Sequence, residues 1–228
     1  MKKLIVFTGA GISAESGIKT FRDSDGLWEE YNISDVATVT GWQKNRAQML
    51  EFYNKRRAQL STVEPNAAHK YLADLEKEFD VQIITQNVDD LHERAGSTKV
   101  LHLHGELTKM KSCGDKKIVD WPADFKIETS SIAADGSALR PHIVWFGESV
   151  PNMDEAAELI ERADIVVVIG TSLQVYPAAG LVDLVYDDIP IYIIDPNNEP
   201  VRERNRIFIQ QTATEGVKIL DEKLTKYK

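Results

Sequence analysis

The chain has 228 residues, 43% hydrophobic and 28% charged, the make-up of an ordinary globular protein long enough to bury a sizeable core. Its net charge of −9 argues against a nucleic-acid partner, because phosphates demand a cationic surface, and mildly favours basic partners such as lysine-rich protein segments. The single cysteine, Cys113, excludes an intramolecular disulfide, and no apolar run approaches the ~18 residues of a membrane span, so a cytoplasmic protein with no membrane partner is expected.

In chain order, LIVF (4–7) reads as the first strand. Two lysines precede it, but the run is too short for a signal-peptide core and a glycine-rich turn follows at once. Residues 26–78 contain no convincing strand but two helical patterns, about 42–60 and 66–78, broken at Pro65. VQIIT (81–85) and KVLHL (99–103) follow as strands, and 107–140 is polar and irregular, with Gly114, Pro122 and Gly136. HIVWF (142–146), DIVVVIG (164–170), PIYII (190–194) and RIFI (206–209) complete the strand candidates. Helical patterns alternate with them: Asp154 is placed to cap 155–163, a segment runs from Pro177 to about Tyr186, and Thr214 is placed to cap a last helix. Continuously apolar strands alternating with helices predict an α/β fold, a Rossmann-like doubly wound parallel sheet. The two interruptions read as insertions that form a smaller helical lobe. The expected single domain thus has a large lobe of about 1–25, 79–106 and 141–228, and a small lobe of about 26–78 and 107–140.

The turn after the first strand, TGAGISAESG, fits G-x-G-x-x-G/A at Gly9, Gly11 and Ala14. In that context the glycines permit a tight turn and close approach of a pyrophosphate, and Ala14 lets the next helix pack closely. A dehydrogenase would place a second strand ending in Asp or Glu about 20 residues on. Here that region reads FRDSDGLWEEY, which is no strand, so simple hydride transfer is disfavoured and the dinucleotide must be held differently.

Gln86, Asn87 and Asp89 follow the strand VQIIT directly, where open α/β sheets bind ligands; Asn87 or Asp89 would equally cap a helix through Leu91. His104 closes KVLHL before Gly105, at a strand end where an imidazole suits proton transfer at neutral pH. His102 shares its strand face, so an H-x-H metal pair is conceivable, but no third ligand accompanies it at suggestive spacing. Tyr53 and Arg56 lie three apart on one helix face, in a row with Met49 and Leu60. An arginine in an apolar row needs an acidic partner, either a bound carboxylate or an internal Asp or Glu.

Five segments agree in order: GAGISAESGIKTFRD (9–23), TQNVDDLHERAG (85–96), LHLHGEL (101–107), RPHIVWFGE (140–148) and GTSLQVYPAAGL (170–181). Together they resemble the sirtuin family over nearly the whole chain. The resemblance implies an NAD-consuming enzyme that moves the acyl group of acylated protein lysines to ADP-ribose and releases nicotinamide. It implies that Gly9, Ala10, Gly11 and Ile12 form the phosphate turn and nicotinamide-pocket floor, and that Phe21, Arg22 and Asp23 lie on a loop closing over NAD. It assigns Gln86 to the ribose and Asn87 and Asp89 to the nicotinamide pocket, with His104 as the catalytic base and Asn87 beside it in the chemistry. Gly170, Thr171, Ser172 and Val175, with Asn197 and Ala213, are implied for the adenosine half. Asp195-Pro196 departs from the usual strand-end pattern and weakens the case for Asn197. Val144, Trp145, Phe146, Gly147 and Glu148 resemble the segment that pairs with the substrate backbone as an added strand and packs its lysine stem. The Y-x-x-R pair is similar to that of sirtuins that remove succinyl and malonyl groups, where arginine binds the acyl carboxylate with the tyrosine's help.

A sirtuin-like ADP-ribosyltransferase or NAD hydrolase would reuse the nicotinamide pocket without the acyl-lysine tunnel, and a non-catalytic NAD or acyl-lysine sensor is a third possibility. One departure stands out. Most sirtuins hold a structural zinc with two CxxC-like pairs, whereas GELTKMKSCGDKK offers Cys113 alone. No metal is therefore expected, and residues 107–140 must be held by packing, with Trp121 and Phe125 as candidates, or stay partly mobile.

Overall fold

A computed structural model describes residues 1–18, 31–197 and 205–228. The first half comprises β1 (Lys3–Thr8), α1 (Gly11–Ala14), α2 (Ile33–Val36), α3 (Val39–Lys44), α4 (Arg46–Leu60), α5 (Ala67–Asp74), β2 (Asp80–Thr85), α6 (Leu91–Ala95) and β3 (Val100–His102). The second half adds β4 (Gly105–Ser112), β5 (Ile118–Asp120), β6 (Leu139–Ile143), α7 (Met153–Glu161), β7 (Ile165–Ile169), β8 (Ile191–Ile194), β9 (Arg206–Ile209) and α8 (Ala213–Leu224).

Six strands pair in parallel in the order β3-β2-β1-β7-β8-β9. Alternate side chains serve two cores, as the period of two requires. Leu4, Val6, Ile83, Val167 and Ile194 pack with α5 and α8 on one face, while Ile5, Phe7, Ile84, Val166 and Val168 pack with α7 and the 3₁₀ segment Ala178–Leu184 on the other. This double burial explains why the runs read as continuously apolar: each buried Val, Leu or Ile contributes roughly 1.5–3 kcal/mol over exposure, on both faces of every central strand. The chain leaves β1 to build one half of the sheet and returns through β7 to build the other. The strand order therefore reverses between β1 and β7, whose last residues, Thr8 and Ile169, are in register. In such sheets the crevice at the carboxyl end of that reversal is the natural ligand site. Among the described residues, no helix is long and apolar enough to cross a membrane.

Several elements differ from expectation. The strand predicted at 142–146 is β6, which starts earlier and pairs antiparallel with β4 in a separate three-stranded sheet, β5-β4-β6. The stretch 107–140, read as irregular, supplies β4 and β5. Its polar residues alternate with few apolar ones because this sheet is covered on one face only. The pattern at 42–60 is two helices, since the Asn45 side chain accepts the Gln48 amide (3.2 Å) and so caps α4. Thr212 rather than Thr214 stands at the N-cap of α8, and Asn152 rather than Asp154 at that of α7, leaving Asp154 in the first turn where its charge complements the helix dipole. The segment after Pro177 is 3₁₀ rather than α-helical. Around the small sheet, a third core joins Val36, Trp42, Met49, Phe52, Tyr53, Leu107, Trp121 and Trp145. Trp121 is 2% exposed and anchors this core as expected, whereas Phe125 is 39% exposed and does not.

Candidate functional site

The glycine-rich turn sits at the reversal point, against the turn that ends β7. A side chain at Gly9 would place its Cβ 2.7 Å from Thr171 Cβ, and one at Gly11 would place it 2.6 Å from Gly170 Cα. Gly170 has φ +63°, and a Cβ there would lie 2.3 Å from the Ile12 amide nitrogen. Here the glycines are demanded by two turns of the protein approaching each other, bonded through Gly11 N–H to the Gly170 carbonyl (2.8 Å). The result is a narrow cradle of backbone that brings Gly9, Ala10, Gly11, Ile12, Gly170, Thr171 and Ser172 to one place. Glu15, just past α1, reaches α8: its carboxylate accepts the Thr214 amide (2.9 Å) and hydroxyl (2.6 Å), which docks Ala213 beside the same turn. Burial opposes ionisation of Glu15, but these hydrogen bonds outweigh it and lower its pKa.

The end of β2 lies next to this cradle. Ser13, buried on α1, donates to Asp89 Oδ2 (3.0 Å) and accepts from Asn87 Nδ2 (3.1 Å), so one hydroxyl orients both predicted pocket residues. Asp89 Oδ1 accepts the Leu91 amide (3.2 Å), so the capping alternative and the pocket location coexist. Burial raises the Asp89 pKa, and the bonds from Leu91 and Ser13 offset it only in part. Gln86 Nε2 is a buried donor with no hydrogen-bond partner among the described residues, which is costly unless a ligand supplies an acceptor.

His104 and His102 bond successive carbonyls of this loop. His104 Nδ1 lies 3.1 Å from the Gln86 carbonyl and His102 Nδ1 lies 2.9 Å from that of Asn87. A carbonyl can only accept, so the Nδ1 of His104 carries the proton and its Nε2 keeps a lone pair. Burial lowers the His104 pKa, against a smaller upward pull from Gln86, so the ring is neutral at physiological pH and available as a base. His102 is different. Its Nε2 faces Glu93 Oε1 at 2.8 Å, and although burial opposes the charged ring, Glu93 and the Asn87 carbonyl raise its pKa. Both nitrogens of His102 are thus engaged with protein, which leaves no lone pair for an H-x-H metal pair.

The last group lies between α4 and the segment after β6. The Val144 amide donates to the His104 carbonyl (2.9 Å), which joins this segment to the histidine. Phe146 is 52% exposed, whereas Trp145 is 2% exposed, so only the former presents a surface here. The Trp145 indole donates to the Tyr53 hydroxyl (3.1 Å). Tyr53 is 1% exposed, and burial pushes its pKa up to about 12 against the pull of Arg56. Beneath Trp145, Arg140 donates to both oxygens of Glu148 (2.8 and 2.9 Å) and to the Ile143 carbonyl (2.7 Å).

Most predicted residues therefore converge at the carboxyl ends of β1, β2, β3 and β7. Asn197 is exposed, and its backbone amide donates to Asp195 Oδ1 (2.8 Å). Phe21, Arg22 and Asp23 lie outside the described residues. Ser13, Arg140 and the buried pair His69 and His92 were not singled out in the sequence. Ser13 and Arg140 stand inside segments that were, but spacing along the chain does not show which polar neighbour orients another.

Comparison with known proteins agrees with this geometry. The Sir2 family profile matches residues 9–177. An NAD-dependent protein deacylase of Helicobacter pylori is 53% identical over 226 residues, covering 98% of each chain, and one of Bacteroides thetaiotaomicron is 50% identical over 230 residues, again 98% of each. Among solved structures, a Sir2 homolog–NAD complex superposes with a TM-score of 0.89 at 38% identity, covering 99% of this chain and 90% of that one. A Sir2 protein with a deacetylated p53 peptide superposes at 0.82 with 29% identity, covering 96% and 92%.

Proposed function

The chain belongs to the Sir2 family and is an NAD-dependent protein deacylase, and from that premise we propose that it removes succinyl and malonyl groups from lysine, with acetyl as a further substrate. The observation that carries this is the Tyr53 hydroxyl. It is buried, accepts a hydrogen bond from Trp145, and keeps its own proton for an acceptor, one helical turn from the Arg56 guanidinium. Two donors on one helix face match an acyl group that ends in a carboxylate, which guanidinium binds in bidentate fashion. A neutral acyl group would offer the Tyr53 hydroxyl proton no carboxylate oxygen.

The residues fit NAD: the glycine cradle presents backbone, and Gln86 Nε2 is a buried donor in want of an acceptor. In this reading Gly9, Ala10, Gly11 and Ile12 hold the phosphates and floor the pocket, Asn87 and Asp89 line the nicotinamide end, and Gln86 meets the ribose. Gly170, Thr171, Ser172, Asn197 and Ala213 take the adenosine half, and Phe21, Arg22 and Asp23 close over the nucleotide. Bound NAD supplies an electrophilic ribose carbon and a nicotinamide leaving group. His104 receives a proton at Nε2, with Nδ1 anchored on Gln86 so that the ring does not turn. Val144, Phe146 and Gly147 pair with the substrate backbone while Trp145 backs the acyl pocket. The division into large and small lobes, a cytoplasmic setting, acidic attraction to lysine-rich protein substrates, and the lack of a metal, nucleic-acid or membrane partner belong to the same reading.

The test is nicotinamide release from NAD with succinyl-, malonyl- and acetyl-lysine peptides. Release with all three is expected, and Arg56→Met should lower the succinyl-to-acetyl ratio of kcat/KM by about a hundredfold, the worth of a bidentate charged pair. An unchanged ratio refutes the carboxylate clamp, and release that ignores peptide indicates NAD hydrolysis instead.

A further inference from the structure

We propose that Trp145 is a specificity-determining residue that acts without touching the acyl group, by fixing the Tyr53 hydroxyl as a hydrogen-bond donor. The inference rests on the dicarboxylic acyl reading and names the device that makes that pocket selective.

A phenol oxygen offers one proton and, in the ring plane, one favoured acceptor direction opposite to it, whereas an indole N–H can only donate. With Trp145 Nε1 at 3.1 Å, the acceptor side of Tyr53 is taken. The hydroxyl proton must point the other way, and no acceptor for it exists among the described residues. Tyr53 is 1% exposed, so bulk water does not offer the hydroxyl an alternative orientation. A free tyrosine hydroxyl would serve donors and acceptors alike; this one serves acceptors.

The indole is itself held on several sides. Its backbone amide donates to Glu148 Oε2 (2.9 Å), Arg140 Cζ lies 3.2 Å from its ring centroid, and Trp42 packs at 5.2 Å between centroids. Arg140 is in turn fixed by Glu148, so the ring cannot swing away from Tyr53 without giving up its contacts with the Arg140 guanidinium and Trp42. The preference that follows is for acyl chains ending in an acceptor, carboxylate foremost, over chains ending in an apolar group of the same length. Butyryl is the matching neutral partner of succinyl.

The experiment measures kcat and KM for succinyl- and butyryl-lysine peptides with wild type, Trp145→Phe, Tyr53→Phe and the double variant. Trp145→Phe keeps an aromatic ring over Arg140 and deletes the N–H. Each single variant is expected to lower the succinyl-to-butyryl ratio by about tenfold through KM for the succinyl peptide, the worth of one charge-assisted hydrogen bond. The double variant should fall no further than either single, because the two act as one unit. A Trp145→Phe ratio equal to wild type, with Tyr53→Phe lowered, overturns the role of Trp145 and leaves the acyl pocket standing. Additive losses overturn it as well. A Tyr53→Phe ratio equal to wild type overturns the acyl-pocket reading and this inference together. If Trp145→Phe does not fold, 3-benzothienylalanine placed at 145 keeps the bicyclic shape without the N–H, and the same outcomes apply.

Discussion

Glu148→Gln tests the ion pair that supports this pocket. In the wild type, Arg140 is 5% exposed and donates to both Glu148 oxygens at 2.8 and 2.9 Å. Glutamine keeps the shape and one acceptor but removes the charge, so the guanidinium stays buried without its counter-ion. Removing one partner of a buried pair costs roughly 3–5 kcal/mol, and since the Glu148 side chain is 25% exposed and glutamine retains one bond, the expected loss is about 2–3 kcal/mol. For a chain of this size that is roughly 5–10 °C in Tm by calorimetry at pH 7. The pH dependence carries its own sign. Burial raises the Glu148 pKa, but Arg140 and the Trp145 amide lower it more, so the stabilisation is present above pH 4.5 and fades as pH falls through the lower folded-state value. The difference between wild type and variant should therefore shrink in acid. As a control, Glu158→Gln breaks an exposed pair with Arg162, both side chains about two-thirds exposed, and should move Tm by less than about 2 °C. A Glu148→Gln shift no larger than the control refutes the argument that this pair anchors the segment.

Two further outcomes follow from buried histidines. Because His104 works as a neutral base and burial lowers its pKa below 6.5, kcat/KM should rise with pH through a midpoint below 6.5 and stay level above it, and His104→Ala should lose deacylation of every acyl peptide; a midpoint above 6.5 contradicts the assignment. His69 is fully buried, with neither ring nitrogen bonded among the described residues, and burial pushes its pKa down to about 4. The unfolded chain then takes up a proton that the fold refuses, so stability falls between pH 6.5 and 4, and His69→Leu should flatten that part of a urea-denaturation profile across pH.

The parallel sheet was legible because burial on both faces writes an unmistakable pattern: IVVVI and IYII carry no polar residue to confuse the period. The strand-end residues were legible for a related reason, since a sheet of this kind delivers whatever follows VQIIT or KVLHL to its carboxyl edge. The small sheet was not. Strand β4, GELTKMKS, alternates imperfectly, slips register between Glu106 and Met110, and pairs with β6 across 26 intervening residues, information that no local window contains. The packing of Trp145 was hidden for the same reason: the run HIVWF does not show that Trp145 is buried over the Arg140 guanidinium while the adjacent Phe146 is exposed.

The three-stranded sheet poses a question of its own, namely what holds the connections between its strands when Cys113 is the one cysteine of the sequence. The Asp135 carboxylate accepts the Ser112 hydroxyl (2.6 Å), the Asp115 amide (2.9 Å), and the amide and hydroxyl of Ser137 (3.0 and 2.8 Å). The Gly114 amide then bonds both serine oxygens, each at 2.9 Å. One side chain therefore ties the turn after β4 to the turn before β6, which is the task a four-ligand metal would perform there. Those bonds hold the Asp135 pKa far below its usual value, so the knot stays tied across the physiological range. Among the described residues no cluster of three or more His, Cys, Asp and Glu is arranged to hold a metal. Asp135→Ala should accordingly speed proteolysis between residues 112 and 138 while the parallel-sheet core resists cleavage, and a chelator should leave the wild-type Tm where it was. One zinc per chain, or a chelator-sensitive Tm, would mean that a metal rather than this carboxylate does the fastening.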